Sequence, residues 1–345
     1  MEFESQNRTE LSSIGEFGLI KQFRAAFTPK QTTTLMGIGD DAAVIQNSNT
    51  PLAITSDLLL EGVHFDLRYV PLKHLGYKAV VVNLSDICAM NAIPKKILVN
   101  LGVSNRFSLE AIEELYAGIQ AACQFYNLDL IGGDTSASQQ GLMLSVTAIG
   151  ETQASGAVYR STAKEHDLVC VSGDLGAAYM GLQILEREKS VFLANPKMQP
   201  ELEGFDYLIQ RQLKPEARID IINGFIERGI IPTAMMDISD GLASELLHIC
   251  NESKVGIRLY EDKIPIDSLT FNTALQFNLD PTVCALSGGE DYELLFTIPQ
   301  SAYEKLSKWN AISVIGHVTS AHAGCEMIAK DGTQHPIQAQ GWKAF

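Results

Sequence analysis

Gly37-Ile-Gly-Asp-Asp41, a short apolar run, and then Ile54-Thr-Ser-Asp57 form the stretch on which the reading of this chain turns. Ala42 to Ile45 and Leu52 to Ile54 read as two short strands, because the segment between them, Gln46-Asn-Ser-Asn-Thr-Pro51, is rich in turn formers. A hairpin of this kind brings Asp40 and Asp41 near Asp57. Carboxylates gathered so closely disfavour joint ionisation unless a cation lies between them. An all-oxygen set, with the hydroxyls of Thr55 and Ser56 at hand, suits Mg²⁺ better than zinc. Two other readings compete. An Asp-Asp pair in a turn is often simply solvated. Gly37-x-Gly39-x-x-Ala42, with Asp57 downstream, also fits a dinucleotide fingerprint. That fingerprint needs a helix after the glycines, whereas the residues here read as a strand, and its pyrophosphate would face two acids.

Working outward, 345 residues allow two domains of ordinary size, and 46% hydrophobic with 19% charged residues is a globular composition. The net charge of −15 argues against nucleic acid or an anionic membrane as partner. Phosphates stay accessible to such a protein when metal ions supply the positive charge. The acidic start, Met1-Glu-Phe-Glu, does not read as a signal peptide, and no apolar run has the length of a membrane span. Cys88, Cys123, Cys170, Cys250, Cys284 and Cys325 are scattered without C-x-x-C spacing, which suits reduced, packed thiols. The expected location is the cytoplasm.

Residues 11–27 read as an amphipathic helix. Pro71 is placed for the first turn of a helix through Leu75, Ala79, Val82 and Asp86, with Asn83 and Asp86 on one face. Ile97 to Val103 reads as a strand, and Ser108 can cap a helix through Ile112, Leu115, Ile119 and Ala122, with Tyr116 packing at its border. Leu128 to Ile131 and Leu142 to Ile149 are further strands. In the second half, Leu168–Ser172, Ala234–Met236 and Tyr292–Ile298 read as strands. Helices follow Gly173, Pro215 and Gly241, and Glu188 to Glu203 reads as a polar loop. This order predicts an α/β protein with mixed sheets covered by helices. Small residues cluster in Gly150-Glu-Thr-Gln-Ala-Ser-Gly-Ala157, which predicts domains over 1–150 and 151–345.

Four acidic motifs share one grammar, an apolar strand followed by small residues and carboxylates: Gly39-Asp-Asp41, Ser56-Asp57, Gly133-Asp134-Thr135 and Asp237-x-Ser-Asp240-Gly. Asp86 adds a carboxylate from a helix. Glycines allow close approach to phosphate, and strand ends hold acids in fixed positions. The chain has no lysine-bearing phosphate loop, kinase-type catalytic loop, H-E-x-x-H or G-x-S-x-G.

Gly37-Ile-Gly-Asp-Asp-Ala-Ala-Val44, Thr55-Ser-Asp57, Glu61-Gly-Val-His64-Phe and Asn83-Leu-Ser-Asp86 resemble the thiamine-monophosphate kinase family. So do Leu130-Ile-Gly-Gly-Asp-Thr135, Tyr159-Arg160-Ser, Asp237-Ile-Ser-Asp-Gly241 and Leu286-Ser-Gly-Gly-Glu-Asp-Tyr-Glu293, in the family's order over nearly the whole chain. The resemblance implies the two-domain PurM-like fold, with the N-terminal domain forming a β-barrel-like interface in a homodimer. It implies ATP-dependent phosphorylation of thiamine phosphate to thiamine diphosphate. By the same resemblance Asp41, Thr55, Ser56, Asp57, Asp86, Asp134, Asp237 and Asp240 would bind several Mg²⁺ ions. Gly133, Asp134, Arg160, Ser239 and Tyr116 would contact ATP, and His64, Glu290 and Trp342 the thiamine phosphate. The hydroxyl pair reads Thr-Ser where the family has Ser-Thr, and the segment from Glu188 to Glu203 matches loosely, so nothing is carried onto it.

The chemistry agrees with that implication. Two polyanions must meet, and Mg²⁺ among carboxylates and phosphate oxygens neutralises and aligns them. The acceptor oxygen is already ionised at neutral pH, so no residue is assigned as general base and the transfer is expected to be direct and in line. Arg160 suits charge on the transferring group, although it also reads as a surface arginine, and His64 also reads as a packed histidine. Two rival functions are an amide-forming synthetase of the same superfamily and a non-catalytic nucleotide- or metal-binding regulator.

Overall fold

The computed structural model describes residues 18, 20, 21, 24, 29–47 and 49–340. The helix expected over residues 11–27 falls mostly outside these, and Trp342 falls outside them entirely.

The first sheet contains β1 (Thr34–Met36), β2 (Ala43–Ile45), β3 (Leu52–Leu60), β4 (Ala92–Val103), β5 (Asp129–Ala137) and β6 (Met143–Thr152), in the order β1-β2-β3-β6-β4-β5. The expected hairpin is present, with Ala43 opposite Ile54. Only β4 and β5 run parallel. Alternation makes the sheet one-faced: Leu144, Val146 and Ala148 of β6 are fully buried, while Met143, Ser145 and Thr147 between them are not. The buried face packs on α1 (Leu72–Ala89), which lies beside α2 (Leu109–Tyr126). Ser108 caps α2 as expected, accepting the Ala111 N–H at 3.3 Å.

Helix α1 is buried almost all round, because it also packs against the second sheet. Its Ala79-Val-Val-Val82 run reflects that position, since a helix without a wet face belongs inside. The second sheet contains β7 (Leu168–Ser172), β8 (Ala234–Asp237), β9 (Gly256–Tyr260), β10 (Leu294–Ile298), β11 (Ile312–Thr319), β12 (Cys325–Ile328) and β13 (Gln334–Pro336). Their order is β13-β12-β9-β11-β7-β10-β8. Helices of this half include α3 (Ala177–Ala194), α4 (Asp206–Leu213), α5 (Ile219–Arg228) and α6 (Leu242–Ser253).

Several elements run further than the sequence reading placed them. Strand β3 continues past Ile54 to Leu60, and β5 continues through Asp134 to Ala137, so both acids are inside strands rather than after them. Helix α3 extends into the segment read as a loop. Its residues 187–194 contain no helix breaker, and Asn195-Pro196 is the first stop signal. All six cysteines are free, and Cys88, Cys170, Cys250 and Cys284 are buried. Among the described residues, no helix is long and apolar enough to cross a membrane.

Candidate active site

Three chain segments meet where α1 packs on β8: the turn before β2 brings Asp41, α1 brings Asp86, and the end of β8 brings Asp237. Each offers a carboxylate oxygen within 4.8 Å of the other two. Burial raises the pKa of all three above the usual carboxylate range, and neighbouring acids push the same way. Asp57 and Asp240 stand near enough to add to that effect at Asp237. Among the described residues, the buried Asp41 Oδ2 has no hydrogen-bond partner. A lone buried oxygen beside two more carboxylates is costly in the bare protein. The all-oxygen donor set fits a hard divalent cation such as Mg²⁺.

The acids are held from behind. Thr55 Oγ1 donates to Asp86 Oδ2 at 2.7 Å, and Ser85 Oγ donates to Asp237 Oδ2 at 2.6 Å. Arg160 donates through Nη2 to Asp41 Oδ1 at 2.5 Å and through Nε to Asp40 Oδ1 at 3.3 Å. Its backbone N–H reaches Asp40 Oδ2 at 3.2 Å. Asp40 therefore anchors Arg160, while Asp41 serves both the arginine and the acid group. Asn83, one turn before Asp86, accepts the Asp57 N–H at 3.0 Å and fixes β3 against α1.

Strand alternation separates the rest of the expected ligands. Thr55 and Asp57 face α1, whereas Ser56 lies on the opposite, exposed face, its Oγ 3.0 Å from Thr147 Oγ1 on β6. Asp134 stands opposite Asn100 in the register of β4 and β5, and every residue of β5 is exposed. Ser56 and Asp134 are thus not gathered with Asp41, Asp86 and Asp237. Gly133 has φ +154°, and a Cβ there would lie 1.8 Å from the Val99 oxygen, so only glycine fits. Tyr116 is half-buried on α2 and packs against the hydrophobic core.

A cavity of about 720 Å³ runs from the acids toward the second half of the chain. Asp57, Asp86, Asp237, Ser239 and Asp240 line it, as do His64 and Glu290. His64 Nδ1 accepts the Leu60 N–H at 3.0 Å, which leaves Nε2 as the protonated nitrogen of the neutral ring. The Glu290 N–H donates to the Ser239 oxygen at 2.7 Å, so the loop bearing Glu290 is tied to the one bearing Asp237 and Asp240. Glu290 itself sits at φ 57°, a left-handed conformation held by this packing. Its carboxylate meets Lys78 Nζ at 2.9 Å and Gln212 Nε2 at 2.7 Å.

Family models for AIR synthase related protein match this chain in two parts, the N-terminal domain over residues 39–152 and the C-terminal domain over 168–326. The thiamine-monophosphate kinase of Aquifex aeolicus is 35% identical over 336 residues, covering 97% of this chain and 99% of the relative. That of Bacillus subtilis is 35% identical over 341 residues, covering 96% and 100%. The chain belongs to the thiamine-monophosphate kinase family. A solved structure described as AaThiL complexed with AMPPCP and TMP superposes with a TM-score of 0.82 at 34% identity, covering 98% of this chain and 99% of that one. The two-domain α/β architecture with mixed sheets is thus the PurM-like fold shared across the family.

Four supporting residues escaped the sequence reading: Asp40 as the arginine anchor, Ser85, Lys78 and Gln212. Lys78 carried a signal, as the one charge in the otherwise uncharged stretch Leu75-Gly-Tyr-Lys-Ala-Val-Val-Val82. Such a lysine is seldom buried without a carboxylate partner. Gln212 carried none.

Proposed function

We propose that this chain transfers the γ-phosphoryl group of ATP to thiamine phosphate, yielding ADP and thiamine diphosphate by direct in-line transfer. The observation that carries the proposal is the buried group Asp41, Asp86 and Asp237, whose Asp41 Oδ2 has no hydrogen-bond partner among the described residues, with Asp86 and Asp237 lining a cavity that His64 and Glu290 also line. The family's full-length similarity and the AMPPCP- and TMP-bound neighbour support the same reading.

In this reading Mg²⁺ ions held by Asp41, Asp57, Asp86, Asp237 and Asp240, with Thr55, supply the charge that lets two phosphate groups meet. Arg160 stands beside Asp41 as a fixed planar cation for the nucleotide phosphates. Ser239 lines the cavity together with Asp57, Asp86, Asp237 and Asp240. Gly133, Asp134, Ser56 and Tyr116 are assigned to the nucleotide and its metals, with Gly133, Asp134 and Ser56 approaching from the exposed face of the first sheet. His64 offers a ring N–H to the acceptor phosphate. Glu290 offers negative charge to the thiazolium or an acceptor to the pyrimidine amine, and Trp342 a stacking surface. No side chain is needed as base, since the attacking oxygen belongs to a phosphate already ionised at neutral pH.

The acting unit in this proposal is a homodimer formed through the exposed face of the first sheet, in the manner of a barrel closed by two sheets. A nine-residue edge strand with all its residues exposed, including Leu130 and Ile131, is a surface that proteins normally cover. The domains divide near residue 150, and the protein works in the cytoplasm. A coupled assay tests the reaction: ATP consumption should require both thiamine phosphate and Mg²⁺ and should stop when the metal is chelated. ATP consumption indifferent to thiamine phosphate would overturn it.

A further inference from the structure

Lys78 occupies an unusual place. It projects from α1 of the first half, its side chain is 8% exposed, and it meets two groups of the second half at once. Its Nζ lies 2.9 Å from Glu290 Oε1 and donates to the Gln212 carbonyl oxygen at 2.9 Å. The Gln212 side chain closes the figure, its Nε2 donating to Glu290 Oε2 at 2.7 Å. Both oxygens of Glu290 are thereby fixed, while its side chain stays 33% exposed beside the cavity. Asp86 follows Lys78 two turns along the same helix, about 12 Å at 1.5 Å per residue. One rigid helix therefore sets the spacing between the acid group and Glu290.

We propose that Lys78, with Gln212 as its second anchor, is a positioning residue that fixes the Glu290 carboxylate for the cationic heterocycle of the acceptor at a set distance from the acid group. The proposal rests on the reading of Glu290 as part of the acceptor subsite. Lys78 acts through Glu290 and not on the acceptor directly. A buried ammonium with three donor hydrogens, already engaged by a carbonyl and a carboxylate, is suited to orient that carboxylate. Loss of the ammonium frees Glu290 to sample other rotamers, which weakens acceptor binding and leaves the nucleotide end untouched.

The test is a mutant cycle on the full chain, with KM for thiamine phosphate, KM for ATP and kcat measured for Lys78→Met, Glu290→Gln and the double variant. Lys78→Met should raise KM for thiamine phosphate about tenfold, with kcat and KM for ATP within about twofold of wild type. In the Glu290→Gln background the same change should alter KM for thiamine phosphate less than twofold. Equal factors in both backgrounds, or an equal rise in KM for ATP, would overturn the positioning role alone. A wild-type KM in Glu290→Gln would overturn the acceptor subsite itself, and the proposal with it. Should Lys78→Met not fold, Gln212→Met decides by the same cycle, because it removes the side-chain contact and keeps the carbonyl. A KM rise that vanishes in the Glu290→Gln background supports the proposal, and multiplicative effects refute it.

Discussion

Thr55 and Ser56 are neighbours in the chain and serve opposite faces of the first sheet. Thr55 Oγ1 donates to Asp86 Oδ2 at 2.7 Å, while Ser56 Oγ lies 3.0 Å from Thr147 Oγ1 on the exposed side. The pair cannot act as one hydroxyl cluster in a single chain. Six of the eight expected ligands lie toward the buried acids, while Ser56 and Asp134 lie on the exposed face of the sheet.

The buried acids should tolerate neutralisation structurally and not functionally. Asp86→Asn and Asp237→Asn should each lower kcat at least about a hundredfold, since each removes a charge from the proposed metal site. In metal-free protein the same changes should leave the unfolding midpoint unchanged or raise it, because buried like charges oppose each other. Asp129→Asn, on the exposed edge strand, should change neither. Steady-state rates and calorimetric unfolding check all three.

Gly289 should be intolerant of a side chain. Its φ is +72°, and a Cβ would lie 2.6 Å from the Ser239 oxygen that also accepts the Glu290 N–H. Gly289→Ala should destabilise by roughly 2 kcal/mol or more in urea unfolding, through left-handed strain and displacement of the Ser239–Glu290 contact. Activity with thiamine phosphate should fall with it. A loss below about 0.5 kcal/mol would show that the two loops are not locked as described.

The exposed edge strand gives a direct test of assembly. Sedimentation at micromolar concentration should show a dimer, and Ile131→Asp should shift it to monomer with a loss of most activity. A fully active monomer would exclude a dimer requirement.

His248 on α6 should shape the acid limb of stability. Burial, reinforced by Arg160, pushes its pKa down to about 4 from 6.5. The ring is then neutral in the fold while the unfolded chain takes up a proton below pH 6.5, so stability falls as pH drops from about 6.5 toward about 4. The contribution is on the order of 3 kcal/mol, at about 1.4 kcal/mol for each unit of the difference. His248→Gln should flatten denaturation midpoints across this window relative to wild type.

Much of this arrangement was legible in the sequence because it depends on short spacing. The hairpin of β2 and β3, the Asn83–Asp86 pairing on one helix face, and the Ser108 cap follow from local periodicity and turn chemistry. The division between Thr55 and Ser56 was hidden by ending β3 at Ile54. Only a strand that runs on to Leu60 forces alternate side chains to opposite faces. Asp40 and Asp41 read alike as neighbours in a turn, yet Asp40 is bound up with Arg160, 120 residues away, while Asp41 is shared between that arginine and the acid group. The Lys78–Glu290–Gln212 contact joins three distant segments, and no local pattern encodes such a meeting. The helical stretch at 188–194 was missed because polar composition outweighed the absence of any breaker.

The most direct test of the central claim is chromatographic quantitation of products from the full chain incubated with ATP, Mg²⁺ and thiamine phosphate. Thiamine diphosphate and ADP should appear in equal amounts, with free thiamine a poor acceptor because it lacks the phosphate the metals would bind. ADP formed without thiamine diphosphate, or free thiamine phosphorylated as efficiently, would contradict the account.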